Sequence, residues 1–490
     1  MLAPRGNVSL SILLFFSLSF VVNFPEGYTN SYPNTAVESF RNFYNESFSA
    51  REIELTESRF SWIWSGTLNI WFVGYFLGEF ITPVLTESFG RKASLLFSSF
   101  LALIGAALNM LSTLVDIPEL FIAGRGFSSI SSGLSFGVLI LFLQEAPPTR
   151  IRGSVSSLSE TAFLLSTVLG MLWGMDIFFG KNLPFITGIP MIPAILTLIM
   201  VFPLKETPKY LMLHKQDEEA AKDAIRYYHG ETNVEKVLED IILEGQREEK
   251  VKLSAFQQVL SIVKDPHVRD AFIIGILTLQ LVVSFWPITQ LSTIILESAL
   301  SPDLAQLASV LYIASNFLTS LVGIWLVEKV GRRPLVLILG LINVLSLVMY
   351  IVCDILPQSD LSRNGIIASL IIFGASSGLG LASIAFFLPS ELVSQRRRSL
   401  VQSAVYAINT VMNLVFSGAT LPLYEAIGSY SFIPLFIIPG FLCLTYLYFY
   451  MPETKGREIH DIVRELMRKR GQIAEFDERE LEQLKQATNE

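Results

Sequence analysis

Charge is what this 490-residue chain has least of: Asp, Glu, Lys and Arg make up 16% of it. A soluble domain carries about 25%, so an ordinary soluble fold is excluded. Cysteine is nearly absent, with Cys353 and Cys443 in separate apolar segments, so a disulfide framework is not expected. No group of side chains has metal-ligand spacing. There is no glycine-rich nucleotide loop on a strand, which argues against a nucleotide-driven pump and, with the rest, against an enzyme. The polar segments carry no nucleic-acid-binding pattern, and nothing calls for a cofactor.

What is present is apolar length. A helix needs about 20 residues to cross a bilayer. Six such runs fill the first half: 9–24, 62–84, 93–114, 120–143, 155–175 and 185–202. Six more fill the second: 272–296, 304–327, 334–352, 366–389, 400–423 and 432–450. Backbone in lipid must satisfy its own hydrogen bonds, so these runs read as helices. The strands of a barrel would be shorter and half polar. The expected fold is an all-α membrane protein with 12 transmembrane helices in two six-helix bundles. The first run has no small-residue cleavage site and continues into Pro25-Glu26-Gly27-Tyr28, which predicts a retained helix and not a signal peptide. The expected organisation is an N-terminal bundle over 1–204 with a loop near 30–59, a helical linker over 205–269, a second bundle over 270–451 and a tail over 452–490. The net charge of −8 falls largely on water-exposed segments such as the linker, where Asp217 to Lys222 reads as a surface helix.

The chain also repeats itself. Glu87-Ser88-Phe89-Gly90-Arg91-Lys92 is matched by Glu328-Lys329-Val330-Gly331-Arg332-Arg333. Glu145 with Arg152 is matched by Glu391 with Arg398, and Glu206-Thr207 by Glu453-Thr454. The offsets are 241, 246 and 247 residues (Gly90 to Gly331, Glu145 to Glu391, Glu206 to Glu453). Positive loops alone would not fix this order of acid and base. The Lys and Arg of the short loops gather on one side, so both termini are expected in the cytoplasm. The sequon Asn45-Glu46-Ser47 then lies outside as a glycosylation site, and Asn7-Val8-Ser9 lies inside, unused. The plasma membrane is the default compartment.

These motifs resemble those of the sugar-porter branch of the major facilitator superfamily, specifically the animal facilitative hexose transporters. The resemblance rests on Gly124-Arg125, Glu145 with Arg152-Gly153, Gly174-Met175-Asp176, Glu206-Thr207-Pro208, Glu328 to Arg333 and Pro452-Glu453-Thr454-Lys455-Gly456-Arg457. It implies two bundles related by a pseudo-twofold axis, with solute bound between them. It also implies a cytoplasmic gate of salt bridges from Glu87, Arg91, Glu145, Arg152 and Glu206 in one half, and Glu328, Arg332, Glu391, Arg398 and Glu453 in the other. Pro83 and Ser88 stand where the family has a glycine and a basic residue, which predicts a weaker lock in the first half.

The resemblance places solute contacts at Glu160, Phe163, Gln280, Ser284, Thr289, Asn316, Phe386 and Asn409, with the register at Thr289-Gln290 uncertain by one residue. Amides suit a polyol because they both donate and accept. Several contacts have changed: Glu160 replaces an amide, Gly378 an acid, Phe386 and Thr410 tryptophans, and the prolines around Gly380 to Ser383 are gone. Glu160 has three readings: an acceptor for solute hydroxyls, a proton site, or a partner for a cationic solute. Glu26 is a second intramembrane acid, read as reaching the outer interface. Proton-coupled relatives carry an Asp where this chain has Thr29. The expected function is facilitative transport of a hexose-like solute, a sugar or polyol, through the lipid bilayer. The alternatives are a proton-coupled or organic-ion carrier using Glu160 and Glu26, and a non-transporting sugar sensor.

Overall fold

A computed structural model describes residues 7–230, 234–249, 264–357, 359–393, 395–457, 461–462 and 464–466, without the side chains of 8, 149–158, 244–249 and 395–400. Arg152, Arg398 and most of the tail therefore lie outside the described side chains. Eleven described helical segments are long and apolar enough to cross a membrane. Helix α6 (Thr149–Trp173) supplies the twelfth crossing.

Helix α1 (Val8–Thr35) starts where Asn7 accepts a hydrogen bond from the Leu10 N–H at 3.2 Å, so the first sequon serves as a helix cap. The apolar run ends at Phe24, yet α1 continues to Thr35. Its second part buries Asn23, Glu26, Thr29, Asn30, Ser31 and Asn34. These polar side chains face other helices and do not mark a helix end. Glu26 is thus 5% exposed, and the expectation that it reaches the interface is corrected.

The expected loop after α1 is mostly helix α2 (Val37–Ser49). Its Phe40 packs on Phe121 and Trp64, with ring centroids 4.8 and 5.3 Å away. Asn45 is half-buried in α2, and the buried Ser47 hydroxyl donates to the Asp116 carbonyl at 2.8 Å.

The first half continues with α3 (Glu57–Phe89), α4 (Arg91–Leu114), α5 (Pro118–Glu145), α6 and the paired α7 (Leu183–Gly188) and α8 (Met191–Val201). The linker holds α9 (Pro208–Leu213), α10 (Glu218–His229) and α11 (Val234–Glu249). Asp217 caps α10 by accepting from the Ala220 N–H at 3.0 Å. The second half has α12 (Pro266–Gln280), α13 (Phe285–Glu297), α14 (Pro302–Val330), α15 (Arg332–Ile355), α16 (Asp360–Ser376), α17 (Ala382–Glu391), α18 (Gln395–Ile427) and α19 (Ile438–Tyr450). Two crossings are broken. The crossing made of α12 and α13 breaks at 281–284, and that of α16 and α17 at the π-turn Ser377–Leu381. Gly380, at φ +131°, bends the second break where the family's prolines are missing.

Helices meet closely where side chains vanish. A Cβ on Gly78 of α3 would lie 2.3 Å from the Ile130 carbonyl oxygen of α5. One on Gly378 would lie 2.2 Å from the Asn316 carbonyl oxygen of α14. The acid expected at Gly378 is absent because no side chain fits there. Without a hydrophobic drive between helices in lipid, such contacts carry association. The halves meet along α1–α13, α3–α18 and α6–α14.

Gly78→Ala should therefore lower the melting temperature in detergent by an amount equivalent to about 1–3 kcal/mol. Gly66→Ala, with nothing within 4 Å of the added Cβ, should leave it unchanged. Equal melting of the two variants would contradict the packing argument.

Candidate functional site

Each basic turn is built around a glycine. Helix α3 ends and α4 begins at Gly90, with φ +93°; α14 ends and α15 begins at Gly331, with φ +113°. L side chains rarely adopt this conformation. A carboxylate fills the space beside each: a Cβ would lie 2.3 Å from Glu206 Oε2 at Gly90 and 2.9 Å from Glu453 Oε2 at Gly331. Glu206 accepts from the N–H groups of Lys92 at 3.0 Å and Thr207 at 2.8 Å. Glu453 accepts from the N–H groups of Arg332, Arg333 and Thr454 at 2.9, 3.0 and 2.9 Å. The first N–H groups of a helix have no partner within it, and an anion there is stabilised by the helix dipole.

The arginines of the turns reach a second carboxylate. Arg91 meets Glu145 at 2.8 Å, and Arg332 meets Glu391 at 3.0 Å. The Thr207 hydroxyl donates to Glu145 at 2.7 Å, and the Thr454 hydroxyl to Glu391 at 2.5 Å. The two halves thus share one wiring. Arg91 also lies over the Tyr210 ring and Arg332 over the Phe387 ring, 5.1 and 5.5 Å from the centroids.

Sequence reasoning grouped these residues but cast Glu206 and Glu453 as salt-bridge partners; the structure has them capping helices. It missed Thr207 and Thr454, although the repeated Glu-Thr pair was the signal. Glu87 and Glu328 are exposed and form no ion pair among the described residues. Both sit in the last turn of their helix. Among the described residues, each charged cluster closes within its own half.

Burial pushes Glu206 above the usual carboxylate range, against the pull of the Thr207, Lys92 and Arg91 N–H groups and the Arg91 charge. For Glu453 burial acts the same way, but the N–H groups of Lys455, Arg332, Arg333 and Thr454 outweigh it and hold the carboxyl low.

Polar ties between the halves gather at the opposite end, near α2. Asn34 donates to the Ser292 hydroxyl at 2.7 Å and accepts from the Thr293 N–H at 2.9 Å. Gln290, held by the Ser417 hydroxyl of its own half at 3.0 Å, donates to Asn30 of the other half at 3.4 Å. Ser65 donates to the Gly418 carbonyl at 3.1 Å, and Ser61 to Glu425. The Asp176 N–H donates to Gln306 at 3.1 Å.

Nearer the middle the seam is looser. Glu160 is exposed, and its carboxylate accepts from the Ser383 hydroxyl of α17, in the other half, at 2.9 Å. Phe386 is 40% exposed, and its carbonyl accepts from the Tyr406 hydroxyl at 2.6 Å. Phe163 is half-buried and meets Trp286 edge-on at 6.0 Å; Phe72 approaches the same indole at 6.0 Å. Gln280 is half-buried at the end of α12, just before the break.

The other expected contacts are more deeply set. Ser284 is buried in the break, and Asn316 is buried against Gly378. Thr289 is fully buried and bonded to the Tyr312 hydroxyl at 3.0 Å, inside the second half. The amide facing the seam is Gln290, bonded to Asn30 of the other half. Asn409 is 8% exposed, and its Oδ1 has no partner. Trp286 was missed; an indole beside a helix break was the available signal. Arg125 is fully buried and donates to the carbonyls of Thr67 and Thr29 at 2.9 and 3.1 Å, leaving its Nη2 without a partner.

The model for the family described as "Sugar (and other) transporter" matches residues 14–466. The chain belongs to that family. It is 28% identical over 475 residues to the facilitated glucose transporter member 3 of solute carrier family 2 from Gallus gallus, covering 94% of this chain and 93% of that one. It is 27% identical over 490 residues to member 7 from Homo sapiens, covering 97% and 94%. The inward-open conformation of the xylose transporter XylE from E. coli superposes with a TM-score of 0.73 at 18% identity, over 92% of this chain and 99% of that one. The fold is thus that of the major facilitator transporters, and the protein is a multi-pass membrane protein.

The capping of α15 has a pH signature. The contribution of Glu453 is fully present above the ordinary glutamate pKa of about 4.3 and is lost as pH falls through its lowered folded value. Glu453→Gln should lower stability at neutral pH by about 0.3–1 kcal/mol. Its deficit in melting temperature against the unsubstituted protein should shrink as pH drops below about 4. Glu206, shifted upward, gives the opposite slope, with stability declining as pH rises. A deficit for Glu453→Gln that is constant with pH would contradict charge-based capping.

Proposed function

We propose that the protein carries a hexose-like solute across the membrane by alternating access, down the solute's gradient. The observation that carries this reading is the asymmetric seam. Hydrogen bonds join the halves at the α2 end, while Glu160 and Phe386 stand exposed midway and the described ion pairs of the basic end close within each half. On the positive-inside rule the basic end is cytoplasmic. The conformation described is then open to the cytoplasm, and both termini face it. The gate residues act by keeping each half rigid while the seam opens and closes.

The solute contacts in this reading are Glu160, Phe163, Gln280, Phe386 and Asn409, with Trp286 and Gln290 added. Hydroxyls suit them, since amides offer both donor and acceptor and rings pack on the pyranose face. The relatives carry the name facilitated glucose transporter. Thr29, in place of an Asp beside Arg125, also favours movement without an obligatory proton. The plasma membrane is the proposed location.

The test is uptake of radiolabelled glucose and fructose by proteoliposomes, with and without a pH gradient. Saturable equilibration of at least one sugar without the gradient is expected. Glu160→Ala should reduce it roughly ten- to hundredfold, the loss of about 1.5–3 kcal/mol that a hydrogen bond to a charged group contributes. Uptake of every sugar only under an inward proton gradient would refute facilitative movement.

A further inference from the structure

Three carboxylates converge on the seam, and the reading above uses only one. Glu79 of α3 is half-buried beside Thr410 of α18, across the seam. Tyr406 of α18 lies near both Glu79 and Glu160. Behind them Glu26 of α1 meets Tyr75 and Glu79 of α3. Among the described residues no Lys or Arg acts on any of the three. Arg125 donates to the Thr67 and Thr29 carbonyls and lies with Tyr32 and Tyr44, acting on none of the three acids.

Burying carboxylates without a cation costs several kcal/mol each. A second observation points to what relieves this. Glu26 is 5% exposed, and its Oε2 has no hydrogen-bond partner. Along the same α3–α18 seam the buried Oδ1 atoms of Asn69, Asn409 and Asn413 are also without partners. All four are acceptors, and each can take a donor from a ligand. An ammonium group supplies three donors and no acceptor. Hydroxyls on the same molecule supply further donors for the amides. A carboxylate on the solute would be repelled, which excludes amino acids. Among the described residues no carboxylate group has metal-binding spacing. A bare proton would neutralise one acid and leave the amide oxygens unfilled.

We propose that Glu26, Glu79 and Glu160 form a cation-recognising wall of the solute site, and that the preferred solute is an amino sugar carrying a protonated amine. This rests on the transport reading above and narrows its substrate class. Glu160 and Glu79 reach the solute from the open cavity, and Glu26 deepens the negative field behind them.

The test uses the full-length protein in proteoliposomes with glucosamine, N-acetylglucosamine and glucose. At pH 6.5 the free amine is protonated, its pKa being about 8. Glucosamine uptake at subsaturating concentration should exceed glucose uptake by about tenfold, the scale of a charge-assisted bond. N-acetylglucosamine, which has lost the charge, should show no such preference. An inside-negative potential of about 100 mV should drive glucosamine past equilibration, toward the roughly fiftyfold limit for one charge, and leave glucose unaffected. Glu79→Gln and Glu26→Gln should bring the glucosamine-to-glucose ratio toward one. Glucose uptake without a glucosamine preference would overturn this inference and leave the transport reading standing. So would a ratio unmoved in both variants. The potential dependence needs no variant, so poor folding of Glu26→Gln does not blunt the test. Failure of all three sugars to move would take down the transport reading and this inference with it.

Discussion

The structure depends on a carboxylate seated at the start of a helix, twice. Glu206 and Glu453 each fill the space beside a left-handed glycine and collect the free N–H groups of the helix that follows. This fixes how one crossing turns into the next. The turn in turn aims its arginine at Glu145 or Glu391, and a threonine beside the capping acid holds that same carboxylate. Remove the cap and the arginine loses its direction. The order of acid and base along the sequence is therefore a consequence of geometry: one acid serves backbone, the other serves charge.

With each half made rigid at its basic end, the seam is free to carry function. Most of its ties are neutral amide and hydroxyl pairs at the α2 end. Neutral hydrogen bonds contribute about 0.5–1.5 kcal/mol each, which suits contacts that must form and break in every cycle. Charged pairs in the same place would be harder to separate in low dielectric. The protein keeps its ion pairs within the halves and places its exchangeable contacts between them.

Much of this was legible in the sequence. Twelve crossings followed from apolar length, and the duplicated wiring followed from matched acids and bases. The depth of Glu26 was not legible. A window of hydropathy cannot tell a helix that turns polar side chains toward a seam from a helix that has ended, and α1 does the former from Asn23 to Thr35. Glu79 was overlooked inside an apolar run, where a lone acid was in fact the signal. Gly378 looked like a lost acid; the structure shows a backbone contact that tolerates no side chain. The inner and outer choice at Thr289 and Gln290 needed the break at 281–284, because a kink resets which face a helix presents.

The packing of α2 also sets a clock. Asn45 is half-buried in a formed helix, and Ser47 is tied to Asp116, 69 residues further along the chain. A chain grows at about 5–20 residues per second, so roughly 3–14 s separate the synthesis of these two positions. On the orientation proposed, α2 lacks its contacts with Asp116 and Phe121 during that interval, and its sequon is more accessible. Once α5 arrives, Asn45 is left half-buried. A glycan on Asn45 would therefore be a record of order in biogenesis: sugar first, bundle second. Occupancy at that asparagine would measure how fast the first half assembles.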